Sequence, residues 1–329
     1  VILPFWNCAY FYQTYSQIDN FKGDLDNIPN PDNKLDKWIL SKLYETENEI
    51  RNNMTNYQVD KYVKPIISLI DGLSNWYIRR SRRRFWGSGL SKDKADAYQT
   101  LYYVLTTTCK ILAPITPIVA EKVYKCLTNK ESVHLENWPQ LPKHYSKPTL
   151  LKEVDLVQEI IHLARSIRNK YNVKNRQPLL ELQIAFVNHE DYSIVKEYID
   201  VIAEELNVKN IALINNVEDI ANIEYKVNFA TVGKTMGSKI PVITKAIREN
   251  KLKLIDNHYV TDIDDKIVLE KSDILVNYVA KNNKPVLSSD SIVVSLDLTI
   301  TEELKNEGIA REIIRNIQDA RKQMNLQIT

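Results

Sequence analysis

The apolar residues of this 329-residue chain change period partway along it, and that change limits what the chain can fold into. Leu35, Ile39, Leu43 and Ile50 recur at helical spacing with Trp38 beside them, after a cap at Asp32 or Asn33. Tyr62, Ile66, Leu69, Leu73 and Trp76 form a second helical stripe, with Pro65 marking its first turn or a kink. A third stripe runs through Ala97, Leu101, Val104 or Leu105, Thr108 and Leu112, behind a cap at Ser91. "APITP" stops it, and Pro117 suits the first turn of a fourth helix, "PIVAEKVYKCL". "SVHLENWPQLP" is then short, extended and proline-punctuated, as a strap over the end of a bundle would be.

A long helix is expected over roughly 150–172, with Val157, Ile160, Ile161, Ala164, Ile167 and Tyr171 on its apolar face. Beyond it the period drops to two. "LLELQIAF" alternates as a strand does, and "VKNIALI", "SDILVNYVA" and "SIVVSLDL" are further strands. "SIVKEYIDVIAEEL" and "IPVITKAIREN" are helices, the second followed by "LKLID". The last helix is capped by Thr301 and carries Leu304, Ile309, Ile313 or Ile314, and Ile317. The expected fold class is mainly α: a helical bundle over 1–145, a linker helix and extended segment over 146–180, and a smaller α+β domain over 181–329.

Several chemistries find no support in the sequence. Seven glycines provide neither a GxGxxG nor a Walker A pattern. Cys8, Cys109 and Cys126 are far apart and form no CxxC, which argues against zinc or a disulfide framework and fits a reducing compartment. The five histidines (His134, His144, His162, His189 and His258) are scattered without metal-ligand spacing, and Asp264 and Asp265 sit in a polar stretch best taken as a solvated turn. No nucleophile elbow is present. No apolar run reaches transmembrane length and no signal peptide is visible, so a cytoplasmic protein with no membrane partner is expected. The chain opens at Val1 without methionine, and both ends read as cut from something longer.

Positive charge, by contrast, is concentrated. Arg79, Arg80, Arg82, Arg83 and Arg84 occupy six positions where the second stripe ends, bracketed by Trp76, Tyr77, Phe85 and Trp86, with no acid between Asp71 and Asp93. Arg165, Arg168, Lys170, Lys174 and Arg176 form a second run with no acid between Glu159 and Glu181. Arg165 and Arg168 share a helix face beside the apolar stripe, not within it. The whole chain carries only +2, so its acids lie elsewhere. Such patches suit phosphates, and aromatics beside arginines suit unstacked bases. A solvated helix end that complements the helix dipole accounts for them equally well. Trp76 belongs to the core stripe; Phe85 and Trp86 are the better stacking candidates.

"LDKWILSKL", "NWYIRRSRRRFW", "LAPITPIVAEKVY" and "SVHLENWP" occur here in that order. Together they resemble the helical anticodon-binding domain of class I aminoacyl-tRNA synthetases. "LARSIRNKYNVKNRQPL", "VNFATVGKTMGSKIPVITKAI" and "EELKNEGIAREIIRNIQDARKQMNLQIT" resemble the later segments of the isoleucyl-type members, in their eukaryote-type branch, and extend the likeness over nearly the whole chain. The adenylation signatures and the editing domain of that family are absent.

The resemblance implies an ATP- and Mg-dependent ligase in full-length form. This chain would be its tRNA-binding part, without a cofactor or catalysis of its own. The implied partners are an isoleucine-accepting tRNA and the catalytic domain of the same protein. Charge and position, not the resemblance, select the tRNA-facing residues: Arg79, Arg80, Arg82, Arg83 and Arg84, which contact phosphates or dock the catalytic domain, with Phe85 and Trp86 as weaker stacking positions and Arg165, Arg168, Lys174 and Arg176 behind them. A free-standing RNA-binding module, a helical scaffold for acidic proteins and, within the family, a valyl-type enzyme remain as alternatives.

Overall fold

In the computed structural model, which describes residues 2–187, 190–255, 258–262, 267–281 and 284–324, the chain opens on helix α1 (Ile2–Ile18), which buries Phe5, Cys8 and Tyr12. Helix α2 (Lys34–Thr55) starts where Asn33 accepts the Leu35 amide at 2.9 Å, so Asn33 rather than Asp32 is the cap. Helix α3 (Val63–Asp71) has Pro65 in its first turn and passes into a π-helical stretch, Gly72–Ile78, then into α4 (Arg79–Trp86). Ser91 caps α5 (Lys92–Leu112), accepting the Lys94 amide at 3.2 Å, and α6 (Pro117–Thr128) starts on its proline.

Trp38, Ile39, Leu43, Ile66, Leu69, Leu73, Ala97, Leu101 and Leu105 are all closed off from solvent, so the three expected stripes meet in one core. Each large apolar side chain buried there contributes about 1.5–3 kcal/mol before entropy is set against it.

The strap is tied to that bundle by polar contacts. Trp138 donates its indole N–H to Glu47 at 2.6 Å, Arg51 reaches the Pro139 carbonyl at 3.0 Å, and the Tyr145 hydroxyl reaches the Pro29 carbonyl at 2.6 Å. Glu121 on α6 pairs with Lys125 at 2.9 Å and accepts from the Val133 amide and the Ser132 hydroxyl. The Lys125 bond first, and then the Val133 amide, hold its carboxyl down to about 2, against 4.5 ordinarily. A depressed carboxylate stabilises fully above the unfolded value and loses that contribution as pH falls towards 2. Glu121→Gln should therefore lower the melting temperature at pH 6 and make progressively less difference as pH approaches 2. Thermal scans at both ends that show the same gap would count against this role.

The described residues form two compact units, one up to Lys152 and one from Glu153, so the division falls inside helix α7 (Pro148–Lys170). In the second unit the α7 stripe is buried from Val157 to Ile167, but the helix ends at Lys170 and Tyr171 is exposed rather than part of that stripe.

Strand β1 (Leu179–Phe186) follows and is central to a four-stranded sheet. The segment expected as one helix is two, α8 (Glu190–Lys196) and α9 (Ile199–Leu206), because the amides of Glu197 and Tyr198 turn back three residues to the carbonyls of Ile194 and Val195. These helices are the crossover that lets β2 (Val208–Ile214) run parallel to β1, with Leu179 opposite Val208 and Ala185 opposite Ile214.

Next come strand β3 (Ala221–Val227), α10 (Phe229–Thr235), α11 (Ile240–Arg248) and the short strands β4 (Leu252–Ile255), β5 (His258–Thr261) and β6 (Val268–Leu269). β4, β5 and β6 make an antiparallel sheet, and β3 pairs antiparallel with β7 (Ile274–Ala280). Val232, Ile243, Tyr259, Leu269 and Ile274 close the small core between them. β8 (Val286–Ser288) and β9 (Ile292–Leu296) complete the first sheet, in spatial order β2-β1-β9-β8.

Thr301 caps α12 (Glu302–Gln323) as expected, accepting the Leu304 amide at 3.3 Å. Its apolar row is present, but only Leu304 is buried; Ile309, Ile313, Ile314 and Ile317 are exposed.

Candidate nucleic-acid interface

The first arginine run lies on α4, directly after the π-helical stretch. Along this segment one buried row falls every four residues, Leu69, Leu73, Tyr77, Ser81 and Phe85, with Ile70, Trp76 and Ile78 buried beside it. An α-helix at 3.6 residues per turn would carry a four-residue row steadily around its surface. A π turn closes i→i+5 bonds and so turns less per residue, which keeps that row on one face. The consequence is a division among residues that are equals in the sequence.

Arg84 is drawn inward. Its Nη1 and Nη2 atoms bond the two carboxylate oxygens of Asp36 at 2.8 Å each, and its Nε meets Asp93 at 2.7 Å. Asp36 is 0% exposed and also accepts the Tyr77 hydroxyl at 2.7 Å. Burial alone would lower the Arg84 pKa, but the hydrogen bonds it donates to Asp36 and Asp93 outweigh it and raise it above the ordinary value. The Tyr77 phenol, buried beside Asp36, is pushed well above its own. Asp36 and Asp93 each lie in the first turn of a helix, α2 and α5, so Arg84 ties two helix starts to α4. Acids in a first turn that follows a capping residue were the sequence signal for these partners.

Phe85 does not stack on RNA from this position. It is 1% exposed, inside a ring cluster with Phe11 at 5.2 Å and Tyr98 at 4.8 Å. Trp86, the next residue, is 57% exposed, and its Nε1 donates to the Tyr15 hydroxyl at 2.8 Å, which sets the ring's orientation. Arg82 and Arg83 are exposed, whereas Arg79 and Arg80 are half-buried. Arg79 bonds the Asn75 carbonyl at 2.8 Å, and the Arg80 guanidinium lies 5.4 Å from the Trp76 ring centre. The ridge that can meet a ligand is thus Arg82, Arg83 and Trp86, flanked by Arg79 and Arg80.

The second run divides in the same way. Arg168 is 0% exposed and belongs to the interior, contrary to its placement beside the stripe. Among the described residues no carboxylate meets it. Nη1 bonds the carbonyls of Lys174 at 3.0 Å and Gln177 at 2.9 Å, and Nη2 bonds that of Leu206 at 2.7 Å. Burial, and then the neighbouring charge of Arg165, lower its pKa to about 10, which still leaves it protonated at neutral pH. Arg165 pairs with Glu205 at 2.8 Å. Lys174 and Arg176 remain at the surface, 3.6 and 3.7 Å from Glu312.

Among the described residues no group of three or more His, Cys, Asp or Glu is placed to hold a metal ion. Asp264, Asp265 and His189 lie outside the described residues. No described helix is long and apolar enough to cross a membrane.

Residues 36–184 match the family described as the anticodon-binding domain of tRNA ligase, and that stretch contains both arginine runs. Along 98% of its length the chain is similar to the protein named isoleucine–tRNA ligase 2 in Bacillus anthracis, at 36% identity, and covers 32% of that protein. It is likewise 36% identical to the isoleucine–tRNA ligase of Clostridium novyi, over 98% of this chain and 32% of the relative. Isoleucine–tRNA ligase 2 of Bacillus cereus matches at the same identity and coverage. The chain therefore spans about a third of the length of the curated relatives it matches. Residues 36–184 thus match the anticodon-binding domain of tRNA ligase, within a chain that is similar along nearly its whole length to part of isoleucine–tRNA ligases.

Proposed function

We propose that this chain is the tRNA-binding part of an isoleucine–tRNA ligase. The observation that carries the reading is the exposed Arg82–Arg83–Trp86 ridge inside the segment that matches the anticodon-binding domain. Guanidiniums on phosphates set the register of an RNA, and only contacts to base edges or base faces discriminate among sequences. Arg82 and Arg83, with Arg79 and Arg80 behind them, hold phosphates of the anticodon stem. Trp86 offers its ring to an unstacked base. Lys174 and Arg176, with Arg165 partly neutralised by Glu205, extend the grip in the second unit. ATP, Mg and the amino acid are handled by the catalytic part of the longer protein, to which no residue of this chain is assigned. The whole enzyme works in the cytoplasm, with isoleucine-accepting tRNA as its substrate.

Filter binding of the chain to isoleucine-accepting tRNA across a salt series tests this. Binding should weaken steeply with salt. Arg82→Ala/Arg83→Ala should lower affinity several-fold and flatten the log–log salt slope by about 1.4–1.8, the value for two lost phosphate contacts. No binding at low salt would sink the proposal. Equal competition by heparin and by tRNA would shift it to a scaffold for acidic partners. An unchanged slope in the double variant would remove these two arginines from the interface.

A further inference from the structure

The turn between α7 and β1 has a construction that the charge pattern alone does not reveal. Four consecutive backbone carbonyls, Lys174 to Gln177, are all taken by side chains from beneath. Arg168 holds the first and last, at 3.0 and 2.9 Å, and the Asn207 amide holds those of Asn175 and Arg176, at 3.4 and 2.9 Å. Asn207 is itself fixed as the left-handed cap of α9, with φ 52°. Gln177 is anchored in turn, donating to the Leu304 carbonyl of α12 at 2.8 Å.

With its carbonyls drawn inward, this turn exposes the side chains of Lys174 and Asn175 and half-exposes that of Arg176. Just before it, Tyr171 stands outside the helix, 49% exposed, with the Lys170 ammonium 5.9 Å from its ring centre. Asn172, in the left-handed conformation at φ 55°, separates the ring from the turn. An apolar row at helical spacing would have buried Tyr171. The helix stops one residue short, and the Val173 amide returns to the Arg168 carbonyl at 2.8 Å.

A half-exposed ring beside cations contributes little to folding, while the buried arginine fixes the backbone next to it. The result is a flat apolar face held in place among cations. We propose that residues 170–176 form a platform for single-stranded RNA, in which Tyr171 stacks on an unpaired base and Lys170, Lys174 and Arg176 hold the phosphates on either side. Arg168 and Asn207 are positioning residues: they touch no RNA and fix the platform before the ligand arrives, so that less ordering is required on binding. The inference rests on the tRNA-binding reading above and deepens it by placing an unpaired base on Tyr171 in the second unit.

The test uses the 329-residue chain, isoleucine-accepting tRNA, and the isolated anticodon stem-loop of that tRNA. Tyr171→Ala should weaken binding to both RNAs by about five- to a hundred-fold, the range for losing one base–aromatic stack. Its salt slope should not change, because no phosphate contact is lost. Tyr171→Phe should restore most of the affinity, and Tyr171→Leu, equally apolar but without a flat ring, should not. Arg176→Ala should do the reverse, flattening the slope by about 0.7 for a single-strand phosphate. If the unaltered chain binds tRNA and Tyr171→Ala binds equally well, the platform is wrong while the tRNA-binding reading survives. Rescue by leucine as complete as by phenylalanine would overturn stacking in favour of plain apolar packing. If the unaltered chain binds no tRNA, both readings fall together.

Discussion

Arg84→Ala should unfold the helical bundle more readily than any substitution of its neighbours in the arginine run. The loss expected is about 3–5 kcal/mol, the range for removing one partner of a buried ion pair. The magnitude comes from what is left behind. Asp36 would stay sealed from solvent with only the Tyr77 hydroxyl to meet it, and Asp93 would lose its partner at the start of α5. For a unit of about 150 residues this is a drop of roughly 6–20 °C in melting temperature. Arg82→Ala, on an exposed side chain, should move it by less than about 0.5 kcal/mol. The double change Arg84→Met/Asp36→Leu should recover much of the loss, because no buried charge is then uncompensated. Circular dichroism melts of the four proteins decide the point. A loss under about 1 kcal/mol for Arg84→Ala would mean that water reaches Asp36 after all. One consequence concerns RNA binding. A variant that removes Arg82, Arg83 and Arg84 together confounds lost phosphate contacts with a loosened bundle, so the interface has to be probed with Arg84 intact.

The bundle was legible because its stripes obey one period: Ile39 to Ile50, Tyr62 to Leu73 and Ala97 to Leu112 face inward as spaced, with Leu35 half-buried at the start of the first. The site was legible as a concentration of charge but not in its division of labour. Phe85 and Trp86 are adjacent in the sequence, and the buried row that runs through the π turn reaches Phe85 and not Trp86. Nothing in the local composition announces a π turn. In the second unit β3 carries a full strand signal. Ala221, Ile223, Tyr225 and Val227 alternate with Asn222, Glu224 and Lys226, and β3 pairs along that whole length with β7. Tyr171 continues the α7 spacing without a break, so its exposure depends on where the helix ends, which periodicity does not fix. Arg168 was the hardest case. Buried arginines are usually found through an acid, whereas this one is held by carbonyls, which every residue has.

That absence of an acid makes Arg168 the second strong test. Two opposed effects meet when it is replaced by methionine. Removing an unpaired buried charge relieves a desolvation penalty, which favours the variant. Against that, the carbonyls of Lys174, Gln177 and Leu206 lose charged donors at 2.7–3.0 Å inside the fold, and hydrogen bonds to charged groups are worth about 1.5–3 kcal/mol each. Three such bonds outweigh the relief, so Arg168→Met should destabilise the second unit by about 2–4 kcal/mol. Arg168→Lys should fare little better, because one ammonium cannot fork across carbonyls separated as these are. The damage should also be local in a way that a simple cavity would not produce. The amides of Val173 and Gln177, which bond back to Arg168 and Lys174, should exchange with solvent faster in both variants, while those of β1 change no more than the global loss requires. Uniform acceleration across the unit would show that Arg168 merely fills space. Acceleration confined to the turn would show that the charge is kept inside to hold the carbonyls of Lys174 and Gln177 in place beneath the surface that Lys174, Asn175 and Arg176 present.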